Sequence, residues 1–131
     1  MRVRVGGWIA FAATWALLGC GRASCGDASF RLVAPVDQCL RQGAAKRADV
    51  VVVRRACDRP IQVEFLDLPE GVSVRGANVA SIPPGYVKTE FVLVAAPDAR
   101  PVDGHRARVV ARADDGSAMK EFFNVRVEPK E

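Results

Sequence analysis

Helical periodicity is missing from this sequence after its first twenty residues. No later stretch repeats apolar residues at the helical spacing, and the one candidate, Ala44 to Ala48, is too short for a stable helix. Histidine is almost missing as well. His105 is the only one, which removes most routes to general-base and metal chemistry. It follows Gly104 at the start of a strand-like run and reads as an exposed loop residue. Ser73, Ser81 and Ser117 lack the G-x-S-x-G setting of a hydrolase nucleophile. There is no Cys-x-x-Cys pair to supply a resolving thiol or a zinc site. Asp114-Asp115-Gly116 has no further ligands behind it and reads as a turn, not a calcium loop. No basic stripe is interleaved with aromatics, so nucleic acid is a poor partner. The expectation is a protein that is not an enzyme and that uses no cofactor and no metal.

What the chain does have begins at its N-terminus. Arg2 and Arg4, with no acid beside them, precede an apolar run from Trp8 to Leu18. That run is about the length of a secretory signal core and well short of the ~20 residues needed to span a bilayer. Gly19, Cys20 and Gly21 end it. The phrase Leu17-Leu18-Gly19-Cys20 resembles the lipobox of bacterial lipoproteins, with Leu18 bulkier than usual. The resemblance implies a signal peptide over 1–19 and acylation of Cys20 as the new N-terminus. Several acyl chains hold a domain stably where one does not. The membrane would then be a partner through lipid, and with Gly21 instead of Asp the outer membrane is favoured in a host with two. The alternative is an ordinary secretory signal cut after Gly21 or Ala23, with Cys20 lost or left as a thiol.

Cleavage before Cys20 leaves 112 residues, one small domain. Without Arg2 and Arg4 the balance is 17 basic residues against 15 acids, a formal +2, so the basic character of the precursor is overstated. Residues 20–28 are small and polar and read as a flexible tether. An acylated Cys20 leaves three cysteines, an odd number in an exported chain. Cys39 and Cys57 flank the Asp49–Arg55 run and are the expected disulfide, worth ~3 kcal/mol on the chain-entropy model. Cys25, in the tether, is then free or pairs elsewhere.

From 29 to 129 the texture is short β-rich runs punctuated by Pro, Gly and Asp. Phe30–Val33 reads as a first strand, continued by Val36–Leu40 past Pro35. Val50–Val53 suits a central strand. Ile61, Val63 and Phe65 alternate with polar residues. Leu68-Pro69-Glu70-Gly71-Val72 and Ile82-Pro83-Pro84-Gly85 are turns. Tyr86, just after the second, is expected to pack over one end of the fold. Thr89–Ala95, Ala107–Arg112 and Phe123–Val127 supply further alternating runs, with Asp114–Ser117 as a hairpin turn. About seven strands at this spacing predict an all-β, seven-stranded immunoglobulin-like β-sandwich, after an N-terminal signal helix and the tether. A jelly roll or small barrel fits the pattern too. The antibody signature is missing: both tryptophans, Trp8 and Trp15, precede the domain.

The succession from Ile61-x-Val63 through the LPxGV and IPxG turns to Phe91-x-Leu93 resembles bacterial immunoglobulin-like domains of large exported and surface proteins. That resemblance covers Val50 to Val127 and implies a spacer, adhesive or accessory module. The functional expectation is a non-enzymatic, lipid-anchored cell-envelope module that binds or supports another envelope protein or polysaccharide. The alternatives are an accessory subunit of a secreted enzyme complex and a thiol/redox-active protein built on Cys57, whose sequence neighbours include Arg54, Arg55 and Arg59.

Overall fold

A computed structural model describes residues 23–25 and 28–130. The expected signal peptide, 1–19, and Cys20 lie outside the described residues. Ten strands are described: β1 Ala23–Cys25, β2 Ala28–Val33, β3 Gln38–Arg41, β4 Ala45–Arg55, β5 Ile61–Leu66, β6 Val72–Val74, β7 Val79–Ile82, β8 Lys88–Ala95, β9 Val102–Ala113 and β10 Ala118–Glu128. They form two five-stranded sheets, ordered β1-β2-β4-β8-β6 and β3-β10-β9-β5-β7. We call these sheets A and B. The all-β, immunoglobulin-like sandwich is the architecture expected, with more strands than the seven predicted. No helix among the described residues is long and apolar enough to cross a membrane.

Alternation makes the core. Val50 and Val52 in β4, Ile61, Val63 and Phe65 in β5, and Ala107, Val109 and Ala111 in β9 turn inward and are buried. Their sequence neighbours lie on the outer faces of the sheets, as a period of two requires, although Val110 among them is itself buried. The Val50–Val53 run is packed on one face only: Val51 is half-buried and Val53 exposed. It does occupy the middle of sheet A. Phe65 of sheet B meets Phe91 of sheet A at 4.7 Å between ring centres and Phe123 of its own sheet at 5.6 Å. This trio joins the two layers.

Several local expectations fail for tertiary reasons. Val36–Leu40 does not continue β2 in the same sheet. The chain leaves sheet A at Ala34 and re-enters as β3 in sheet B, where Gln38–Arg41 pairs in parallel with Val125–Glu128 of β10. Pro35 permits the switch because it cannot donate to the β2 ladder. Ala45–Asp49, which carries the brief helix-like alanine pattern, is a strand paired with β8. The stretch 20–28 is not a uniform tether: Ala23–Cys25 pairs antiparallel with Ala28–Phe30 as the margin of sheet A.

The turn at Leu68–Val72 is fixed by contact as well as by its proline. Val72 donates to the Pro69 carbonyl at 3.0 Å, and Gly71 takes a φ of +86°. A Cβ at Gly71 would lie 2.7 Å from Ala99, so the β8–β9 loop can close on this turn only because the residue has no side chain.

Candidate functional site

The end of the sandwich where β4 leaves sheet A holds the densest polar arrangement. The disulfide is there, and it is not the expected one. Cys57 is joined to Cys25, with Cα atoms 5.6 Å apart, and Cys39 is free and exposed. The Cys39–Cys57 assignment is therefore corrected. β3, which carries Cys39, pairs in sheet B, while Cys57 follows β4 in sheet A beside the β1–β2 hairpin. Spacing along the chain favoured Cys39; the change of sheet removes it. Both bridged sulfurs lie in buried residues, 3% and 4% exposed, so an incoming thiol has poor access to either.

Arg54 sits beside this bond, and every N–H it has finds a backbone carbonyl. Nε donates to Tyr86 at 2.6 Å. Nη1 donates to Cys57 at 3.2 Å and Arg59 at 2.7 Å. Nη2 donates to Ile82 at 3.2 Å and Pro83 at 2.8 Å. One planar, forked cation thus ties the loop after β4 to the loop after β7. Burial pushes its pKa below the usual guanidinium value, partly opposed by the nearby Asp58 carboxylate. Nη1 also lies 3.7 Å from Cys57 Sγ. The group is a fastener with no donor left for a substrate. Replacing Arg54 by methionine keeps the length and leaves these carbonyls to water. We expect a loss of about 1–3 kcal/mol in urea unfolding, with faster amide exchange confined to the two loops. Arg54→Lys should recover only part of it, because an ammonium cannot span both loops.

The other residues singled out in the sequence are dispersed. His105 is not an exposed loop residue. It lies within β9, half-buried, and its Nε2 is 2.8 Å from the Asp67 carbonyl. Asp67 has a φ of +60°, and its carboxylate pairs with Arg108 at 2.7 Å. The histidine and the arginine hold a left-handed residue that is not glycine, from its two ends. Ser73 lies in β6, Ser81 in β7 and Ser117 in the β9–β10 turn. The Tyr86 ring does not cover an end of the sandwich; it is 65% exposed, and its residue contributes a carbonyl to Arg54. Asp115 caps the β9–β10 hairpin through its bond from the Ser117 N–H at 2.9 Å. Among the described residues no three His, Cys, Asp or Glu side chains gather as a metal would need.

Cys39 opens onto a groove of about 290 Å³ shared with Asp37, Asp103, Asn124 and Arg126. The outer face of sheet B beyond this groove is strongly basic in its middle. Arg112 pairs with Glu64 at 3.3 Å, and Arg126 with Asp103 and Glu128 at 3.6 Å each. Arg106 instead stacks its guanidinium 3.9 Å over the ring of Phe122, and Lys120 reaches within 5.9 Å of the same ring. Phe122 remains 40% exposed. Sequence reasoning passed over this cluster. The alternation in Lys120, Phe122 and Asn124 marks an outward face, but nothing local says that Arg106, sixteen residues earlier, lands on it.

Comparison with known proteins supports the fold and stops there. No protein-family model matches the chain, and no curated protein matches it. Among solved structures it is similar to the YadV chaperone, with a TM-score of 0.57 at 12% identity over 78% of this chain and 52% of that one. It is similar to a FixG-related protein from Vibrio parahaemolyticus, with a TM-score of 0.52 at 12% identity over 79% and 98%. A family 123 glycoside hydrolase from Clostridium perfringens shares the sandwich at 7% identity, over 72% of this chain and 22% of the enzyme, with a TM-score of 0.52. The chain spans about half of the chaperone and under a quarter of the hydrolase. At these identities the likeness is one of architecture, and one architecture serves many functions.

Proposed function

We propose that this chain is a non-enzymatic, lipid-anchored cell-envelope module that binds or structurally supports another envelope component. The observation that carries the reading is the employment of its reactive side chains. Arg54 is consumed by five carbonyls, His105 lies against the Asp67 carbonyl, and Cys57 is in a buried disulfide. What stays exposed, besides the Cys39 thiol, is a rigid sheet face bearing an aromatic ring and cations that have no carboxylate partner among the described residues, which suits recognition better than chemistry. The fold shared with a chaperone is consistent with a protein partner. The anchor rests on the Leu17–Cys20 motif.

The test is an intact mass of protein extracted from the membranes of the producing cell, with and without alkylation, alongside crosslinking in intact cells. We expect a chain beginning at Cys20 with acyl chains attached, one alkylatable thiol mapping to Cys39, and a specific crosslinked envelope partner. A lipid-free species cut elsewhere would remove the anchor. The lack of any specific crosslink would remove the binding role.

A further inference from the structure

Among the described residues, one length of strand margin in sheet B has no ladder partner; β1 and β2 approach β10 there without pairing with it. β3 pairs with β10 only over Val125–Glu128, and Asp37 Oδ1 accepts the Asn124 N–H at 3.0 Å. From Ala118 to Phe123, β10 is paired on its β9 side alone among the described residues. The ladder alternates, so the direction of each free group follows from two fixed points. The Ser117 carbonyl accepts from Ala113 across the hairpin, and the Asn124 N–H points the other way. The N–H and C=O groups of Ala118, Lys120 and Phe122 therefore point outward, away from β9. The strands at the sheet margins, β1, β3, β6 and β7, are only three or four residues long, a length that discourages pairing. β10 runs for eleven.

The side chains at this margin select the occupant. On the outer face lie the Phe122 ring, Arg106 stacked on it, and Lys120. Neither cation has a carboxylate partner among the described residues. A second copy pairing through the same residues, centred on Lys120, would set Lys120 against Lys120, and like charges directly opposite repel. The chain's own residues 1–22 hold arginines and no acid, so they do not complement the site either. Glu121 projects from the opposite face of β10, where a second carboxylate would be repelled. The margin therefore asks for acids at every other residue, on one face only.

We propose that Ala118–Phe122 of β10 accepts an extended acidic segment of a partner protein as an added strand, with its alternate carboxylates facing Lys120 and Arg106. Backbone pairing would supply affinity and the charge alternation specificity. The proposal rests on the reading of the domain as a binding module and names the chemistry of its partner.

The probe is a ten-residue peptide alternating valine and glutamate, titrated into the isotopically labelled full chain while amide shifts are followed. We expect shifts and slowed exchange at Ala118, Lys120 and Phe122, and weaker binding as salt rises. Lys120→Glu should weaken this peptide about fivefold, the reach of one cross-strand charge pair, and should gain binding to a valine–lysine peptide. Lys88→Glu, on β8 of sheet A, should change neither. Shifts confined to another margin, or equal binding of both peptides to the unaltered chain, would overturn the assignment to β10. Either result would leave the binding role to be judged by crosslinking in cells.

Discussion

Replacing Cys57 by serine is expected to lower the unfolding free energy by about 3–4 kcal/mol, the chain-entropy value for a link across 32 residues. Cys25→Ser should give the same loss, and the double variant no more, since one bond is removed in each case. The reason for a large effect is topological. β1 contributes three residues of ladder to β2, too little to order it alone, and the covalent link to the end of β4 keeps it on the sheet. Cys39→Ser should stay within about 0.5 kcal/mol of the parent, because that side chain is exposed on a marginal strand. Urea unfolding with and without reductant separates these variants. A melting temperature lower by more than about 10 °C should accompany loss of the bond. If Cys39→Ser matched Cys57→Ser and Cys25→Ser were silent, the pairing reported above would be wrong.

Phe65→Ala should cost about 3–5 kcal/mol, the range for deleting a buried aromatic ring. Phe65 is 2% exposed and touches rings from both layers. Its removal leaves Phe91 and Phe123 facing a void in a core only about 10 Å thick, where strands held in ladders collapse too little to fill it. Phe65→Leu, closer in volume, should cost under about 1.5 kcal/mol. A double variant with Phe91→Ala should fall short of the sum, because the two rings share one contact. Phe122→Ala provides the contrast. That ring is exposed on the outer face, so its loss should barely move stability and should instead appear as weaker peptide binding at β10. Thermal unfolding of the parent and these variants, with Phe91→Ala alone included, decides the matter, and equal losses at Phe65 and Phe122 would refute the burial argument.

The sandwich was readable because strands announce themselves locally. Ile61-x-Val63-x-Phe65, Phe91-x-Leu93-x-Ala95 and Phe123-x-Val125-x-Val127 alternate, and each of those apolar residues is buried. The turns were readable for the same reason: Gly71, Gly85 and Gly116 all adopt positive φ where the sequence placed a reversal. The basic cluster over Phe122 and the five carbonyls around Arg54 were not readable. Each is assembled from residues brought together by register. Arg106 reaches Phe122 because β9 pairs antiparallel with β10, and Arg54 reaches Pro83 because β4 and the β7–β8 loop meet at one end of the fold.

Period-two patterning and turn chemistry, both confined to a few neighbouring residues, determined the fold class, the core-facing residues and the reversals of this protein. The motif at Leu17–Cys20 is legible on the same local terms and supplies the expectation of an anchor. Which sheet each strand joins was decided only in three dimensions, and the cysteine pairing followed from it. The 36–40 segment looks like a continuation of β2, yet pairing with β10 and burial of Leu40 draw it into sheet B. That exchange carried Cys39 away from Cys57, left Cys25 as the residue within bonding distance, and covered only the last third of β10. The open remainder of that strand, and the partner chemistry we assign to it, exist because a four-residue strand was laid beside one of eleven.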